Sequence, residues 1–243
     1  QPYDLDGNPG TFSDAELANI AEIWRRIAED YASFEVDITT QAPATFGPTV
    51  GRILITTDTD ANGNAMPAQG AGGVAYVGVW GYSNYSSRYS PALVYYNNLG
   101  NGRADYVSEA ATHEAGHNLS LSHDATSDSS YYGGHGSGYV SWGPLMGTGY
   151  NRHVSQWSKG EYTDASQQQD DVSIIAGKLD RYLTDGIDDG LQGIAEALLQ
   201  LFSELTGCIG HCLVLESSAC CSGKRPRRAP QARTLFHAIF RIQ

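Results

Sequence analysis

Residues 113–124 read HEAGHNLSLSHD, and every reading of the fold and its chemistry starts from the spacing inside this stretch. His113 and His117 stand four apart with Glu114 between them, and His123 follows six residues after His117. On a helix, positions i and i+4 share a face, so the two imidazoles converge on one point. Glu114 projects beside them, where a carboxylate can take a proton from a water held at a metal. A catalytic zinc takes three protein ligands and keeps its fourth position open, so a third ligand has to come from beyond the helix. His123 is placed for that if the helix stops near Leu119 and the chain turns back. An ordinary amphipathic helix would not explain three of the chain's seven histidines within eleven residues at ligand spacing.

Around this stretch the composition is that of a water-soluble domain: 243 residues, 41% apolar and only 17% charged, with 28 glycines and 15 tyrosines. That is enough chain for one sizeable core, and no run reaches the roughly 18–20 apolar residues that span a bilayer. The chain begins at Gln1 without an initiator Met or a signal stretch, so the expectation is a mature form or a fragment of a secreted protein. Charge is uneven. Residues 1–223 carry all 27 acidic side chains against nine Lys or Arg, whereas residues 224–243 carry six basic side chains and no acid. An acidic body is repelled by nucleic acid and by anionic membranes, which removes both as partners. Cys208, Cys212, Cys220 and Cys221 all lie near the C-terminus, so the body is held without disulfides. Cys208-x-x-His211-Cys212 looks like half a metal knuckle but lacks a second pair at zinc spacing.

The pattern along the chain is helix, four strands, helix, then irregular sequence and a further helix. Ser13 with Glu16 forms a capping box ahead of a stripe of Leu17, Ile20, Ile23, Trp24 and Ile27, predicting a helix over 13–31. Residues 34–40, 51–57, 71–80 and 91–98 read as strands, and 102–119 as the helix bearing the first two histidines. From 124 to 169 the sequence is rich in Ser, Gly, Tyr, Asp and Gln, which predicts loops. Residues 170–183 regain helical spacing through Val172, Ile175, Leu179 and Tyr182. The fold class is therefore α/β or α+β. The domain is expected to run over 1–183. Residues 184–243 form an extension that reads either as a further amphipathic helix with a solvated basic tail, or as non-native sequence.

Two weaker signals concern calcium. Asp58, Asp60, Asn62 and Gly63 match the first half of an EF-hand loop, yet Gln69 stands where the bidentate Glu belongs. A turn with side-chain-to-backbone bonds is favoured, with calcium as the second reading. Asp4, Asp6 and Asn8 make a similar oxygen-rich start with poorer spacing. His135 and His153 lie in loops and are read as solvent-facing.

With HEAGHNLSLSHD and PLMGTGY (144–150) together in view, the chain resembles the metzincin clan of zinc endopeptidases, whose members carry His-Glu-x-x-His-x-x-Gly-x-x-His and a later turn with a methionine beneath the metal. The resemblance implies His113, His117 and His123 as ligands, Glu114 as general base and Met146 as the Met-turn residue. Asp124, directly after the third ligand, resembles the reprolysin or adamalysin branch, where such an Asp ties the loop to the Met-turn. The implied fold is a twisted, mostly parallel sheet with two long helices, then an irregular lower subdomain with the Met-turn and a C-terminal helix. One departure is visible. The clan's glycine falls at Ser120, where positive φ costs a serine on the order of 1 kcal/mol. Thr148 occupies the place of the astacin-type tyrosine, so Tyr150 is not given that role.

The expected function is zinc-dependent peptide hydrolysis by a secreted endopeptidase, with Glu114 taking the water's proton and passing it to the leaving amine. The partner is a protein or peptide substrate. The cofactor is Zn2+, with Ca2+ as the secondary possibility. The rival is a non-catalytic zinc-binding adhesion or matrix-binding module on the same scaffold. Glu114 weighs against it, since a structural site has no use for a base.

Overall fold

A computed structural model of the chain describes residues 1–179 and 237–241. Helix α1 spans Asp14–Asp30 and starts as its sequence predicts: Ser13 Oγ accepts from the Glu16 N–H, and the Glu16 carboxylate accepts from the Ser13 N–H at 2.8 Å. Ile23 and Ile27 are fully buried, but Leu17 at the head of the predicted stripe is 43% exposed. The inward position of that first turn is taken by Glu16, whose carboxylate also accepts the Leu5 N–H at 2.7 Å.

Strands β1 (Asp37–Thr39), β2 (Val50–Thr56), β3 (Gly73–Val74) and β4 (Ala92–Tyr95) join β7 (His237–Arg241) in one five-stranded sheet of order β1-β7-β2-β4-β3. β2 and β4 are parallel, with Ile53 opposite Ala92 and Thr56 opposite Tyr95. β3 is antiparallel to β4, and β7 is antiparallel to both β1 and β2. Thus β1, β2 and β4 run one way and β3 and β7 the other. The sheet is mixed rather than mostly parallel, because a C-terminal strand inserts between β1 and β2.

The predicted strand over 71–80 contracts to two residues for a local reason. After Val74 the backbone leaves the sheet and runs past the end of the second helix, where the Gly78 and Trp80 N–H groups donate to His117 O and Asn118 O. His117 O also accepts the Ser120 N–H, while Asn118 O, a carbonyl of the last helical turn, is satisfied from outside the helix.

Helix α2 (Ala104–Asn118) packs against α1 and against β2 and β4. Ile23, Ile27, Ile53, Ile55, Val94, Val107 and Ala111 meet in the core between these layers. The following loops hold a two-stranded parallel pair, β5 (Trp142–Pro144) and β6 (Val154–Gln156). Here one side chain does the work of regular structure. The Arg152 guanidinium donates to the carbonyls of Gly133, Gly134 and Gly136 at 2.7–3.0 Å. Helix α3 (Asp171–Leu179) closes the described body, burying Ile175 and Leu179. Tyr182, the helix expected beyond residue 184 and the four cysteines lie outside the described residues. Among the described residues no helix is long and apolar enough to cross a membrane.

Candidate metal centre

Helix α2 is buried around nearly its whole circumference over its last three turns, from Val107 to Asn118. Its small residues permit this. A methyl group on Gly116 would stand 2.6 Å from the Met146 sulfur, so the chain segment carrying Met146 packs directly against the helix backbone. His113, Glu114 and His117 are therefore presented from a helix with little freedom to move.

The helix ends in a way that returns the chain to its own face. The Ser120 N–H donates to His117 O and the Leu121 N–H to Gly116 O, both at 3.0 Å, the paired bonds of a Schellman motif. The residue that must adopt the left-handed conformation is Ser120, at φ 84°. The positive φ expected there is present, on a serine. After this turn His123 arrives opposite the helix, and one ring nitrogen from each of His113, His117 and His123 lies within 4.8 Å of the others.

Two imidazoles are fixed from behind. His113 Nδ1 lies 2.9 Å from Leu145 O and His117 Nδ1 lies 2.8 Å from Leu121 O. A carbonyl only accepts, so both Nδ1 atoms carry the hydrogen and both Nε2 atoms keep a free lone pair. His117 Nε2 and His123 Nε2 are 3.0 Å apart, close enough for one ion to touch both. Burial, with the neighbouring imidazoles adding to it, pushes His113 down to about 3 and His123 down to about 4. Burial also lowers His117. All three are thus neutral at physiological pH, the form in which histidine binds metal. The donor set, its protonation and the carbonyls behind it fit a divalent transition ion.

Glu114 is buried beside this cluster. One oxygen faces Gly73 on β3, where a methyl group would come within 2.6 Å of Oε1. The other, Oε2, is buried without a hydrogen-bond partner. Burial alone raises this carboxyl to about 8, and a bound cation would reverse that shift.

Met146 is fully buried in a turn where the Gly147 N–H donates to Pro144 O at 3.0 Å. Asp124 joins this turn to the histidine loop through its backbone, its N–H donating to Met146 O at 2.8 Å. Its side chain goes elsewhere, accepting from Tyr162 Oη at 3.3 Å. Tyr131 lies over the cluster, its ring centroid 4.2 Å from that of His123.

Other residues singled out in the sequence fall away from this centre. Asp60 Oδ1 accepts the N–H groups of Asn62 and Asn64, and Asp58 accepts from Asn97, Asn98 and Gly70. These bonds make a tight turn of the kind the sequence favours. Asp4 and Asp6 come near Glu16, but Asp4 Oδ1 and Asp6 Oδ1 accept amide hydrogens of their own turn. His135 pairs with Tyr132 Oη and His153 packs on Tyr139. Gly73 and Tyr131 carried no signal in the sequence, since only the fold brings residues 44 positions before and 14 positions after His117 onto the cluster.

A buried three-imidazole cluster with a carboxylate at its side, carried on a helix of a mixed α/β domain, is compatible with a metallopeptidase centre. Residues 23–124 match the model of the metallo-peptidase family M12B, reprolysin-like, and this supports a reprolysin-like metzincin metallopeptidase. The matched stretch runs from inside α1 to Asp124 and so contains all three histidines and Glu114. No curated protein and no solved structure matches the chain.

Proposed function

We propose that this protein is a zinc-dependent endopeptidase, with His113, His117 and His123 holding the metal and Glu114 acting as general base. The observation that carries this reading is Glu114 Oε2, a buried carboxylate oxygen with no hydrogen-bond partner beside three neutral imidazoles. Leaving such a group unsatisfied costs about 1–3 kcal/mol or more. A purely structural metal site has no need of it, which disfavours a non-catalytic binding module.

When bound, zinc supplies a Lewis acid that polarises the scissile carbonyl and acidifies a water. The protein's own residues do the rest. The carbonyls of Leu145 and Leu121 keep the Nε2 lone pairs of His113 and His117 aimed inward. Glu114 takes the proton from the attacking water and returns it to the leaving amine. Met146 forms an apolar floor beneath the histidines, in the role of the Met-turn residue. Among the described residues β3 is the edge of the sheet, and Gly73 on it abuts Glu114. An extended substrate pairing with that edge would pass over the carboxylate. The reprolysin-like match supports an extracellular site of action, with which the acidic body is compatible.

Glu114→Gln tests the reading. The variant is expected to bind one equivalent of zinc while cleavage of an unfolded protein substrate falls roughly 10²–10⁴-fold. Undiminished cleavage by the zinc-loaded variant would overturn the role of Glu114.

A further inference from the structure

The three imidazoles are not held alike. His113 and His117 sit on a buried helix with Nδ1 on a carbonyl, whereas His123 lies in a loop, less deeply buried, and its Nδ1 has no hydrogen-bond partner among the described residues. Metal-binding histidines usually fix their ring plane through that second nitrogen. His123 has an aromatic ring instead. Tyr131 stacks on it at 4.2 Å between centroids with a 36° tilt, and faces His113 at 6.2 Å with a 34° tilt.

Tyr131 is itself firmly placed. Its carbonyl accepts from Ser129 Oγ at 2.8 Å. The next residue is clamped on both sides, because the Tyr132 N–H donates to Asp124 O at 2.7 Å and Tyr132 O accepts the Thr148 N–H at 3.0 Å. The Tyr132 ring also stacks flat on Tyr162 at 4.1 Å. The loop thus ties the chain just after His123 to the turn that carries Met146, and it holds the Tyr131 ring against the imidazole.

We infer that Tyr131 is the positioning residue for His123, its ring doing for the third imidazole what the Leu145 and Leu121 carbonyls do for the other two. The inference rests on the zinc-site reading above. It assigns the work to the ring face, so the hydroxyl is dispensable.

The test compares the full chain with Tyr131→Phe, Tyr131→Leu and Tyr131→Ala. At 41% exposure the side chain contributes little to the core, so all three are expected to fold. Zinc affinity, measured by competition with a chromophoric chelator, should fall about 10-fold or more in the Leu and Ala variants. It should be unchanged in the Phe variant, which keeps the ring. In cobalt-substituted protein the visible d–d bands should match wild type only for Phe. In the metal-free protein, the His123 imidazole NMR signals should broaden and shift in the Leu and Ala variants and stay in place for Phe. Wild-type zinc affinity in Tyr131→Ala, or a loss in Tyr131→Phe equal to that in Ala, would overturn the assignment. If wild type itself bound no zinc, the zinc-site reading would fall, and the metal-free signals would still decide whether Tyr131 orients His123.

Discussion

Gly73 is a residue on which the proposed general base, Glu114, depends without any chemistry of its own. An alanine methyl there would meet Glu114 Oε1 at 2.6 Å and the backbone oxygen of Leu93 at 2.8 Å, both closer than a carbon can approach. Both must give, so the substitution displaces the carboxylate and also strains the pairing of β3 with β4. Gly73→Ala is therefore expected to lower kcat for peptide cleavage about 10-fold or more while zinc content stays at the wild-type value. Steady-state kinetics with metal analysis of the same sample checks this. His113 and His117 were legible in the sequence because helical periodicity puts them on one face with Glu114 beside it, and His123 because it follows within reach of a reversal of the chain. Gly73 was not, because its partner is 41 residues away and only the pairing of β3 with β4 brings them together. Tyr131 was illegible for a related reason: its position follows from loop hydrogen bonds between residues 124, 132 and 148, and no periodic pattern encodes these.

At the level of elements, two helix ends make opposite statements about strain. The end of α2 was legible: a helix that must reverse towards His123 needs a left-handed residue, and Ser120 has φ 84°. Ser120→Gly removes the steric conflict of a side chain in that region and leaves the Schellman bonds in place. The expected result is a gain of up to about 1 kcal/mol in urea unfolding, reduced by glycine's greater freedom in the unfolded chain. The end of α1 carries an acid where the helix dipole disfavours one. Asp30 is largely buried and accepts from Thr112 Oγ1 at 2.6 Å. Burial raises its carboxyl to about 7, with Glu29 adding to the shift while the Thr112 bond and Arg26 oppose it. Nearby Glu109 is likewise raised to about 7, by burial and then by Asp30. A carboxyl raised in the folded state holds its proton more tightly there. Its stabilising contribution is complete below the unfolded value near 3.8 and is lost as pH climbs through about 7. Asp30→Asn keeps an acceptor for Thr112 and abolishes the titration. It should leave Tm nearly unchanged at pH 3, below the unfolded value near 3.8, and raise it by a few degrees at pH 8, as thermal melts at the two pH values would show.

Across the whole molecule, the order helix, four strands, helix, irregular region, helix was readable from capping and periodicity, and the metal cluster with it. The sheet's completion was not. β7 comes from a tail whose basic composition reads as solvated, yet His237–Arg241 pairs with both β1 and β2. Strand pairing between the two ends of a chain leaves no local trace, since backbone hydrogen bonds rather than side-chain pattern carry it. The lower half is equally opaque from sequence, because Arg152 bonding three glycine carbonyls substitutes for periodic structure. Central to the proposed function is that the three imidazoles hold zinc and leave its fourth position to water. X-ray absorption at the zinc edge of the zinc-loaded chain addresses that claim directly. Three nitrogen scatterers at about 2.0–2.1 Å, with a fourth light atom from water and no sulfur, are the expected result. A sulfur shell at about 2.3 Å, or four protein ligands with no water, would mean a closed structural site and contradict the assignment of His113, His117, His123 and Glu114 as a catalytic centre.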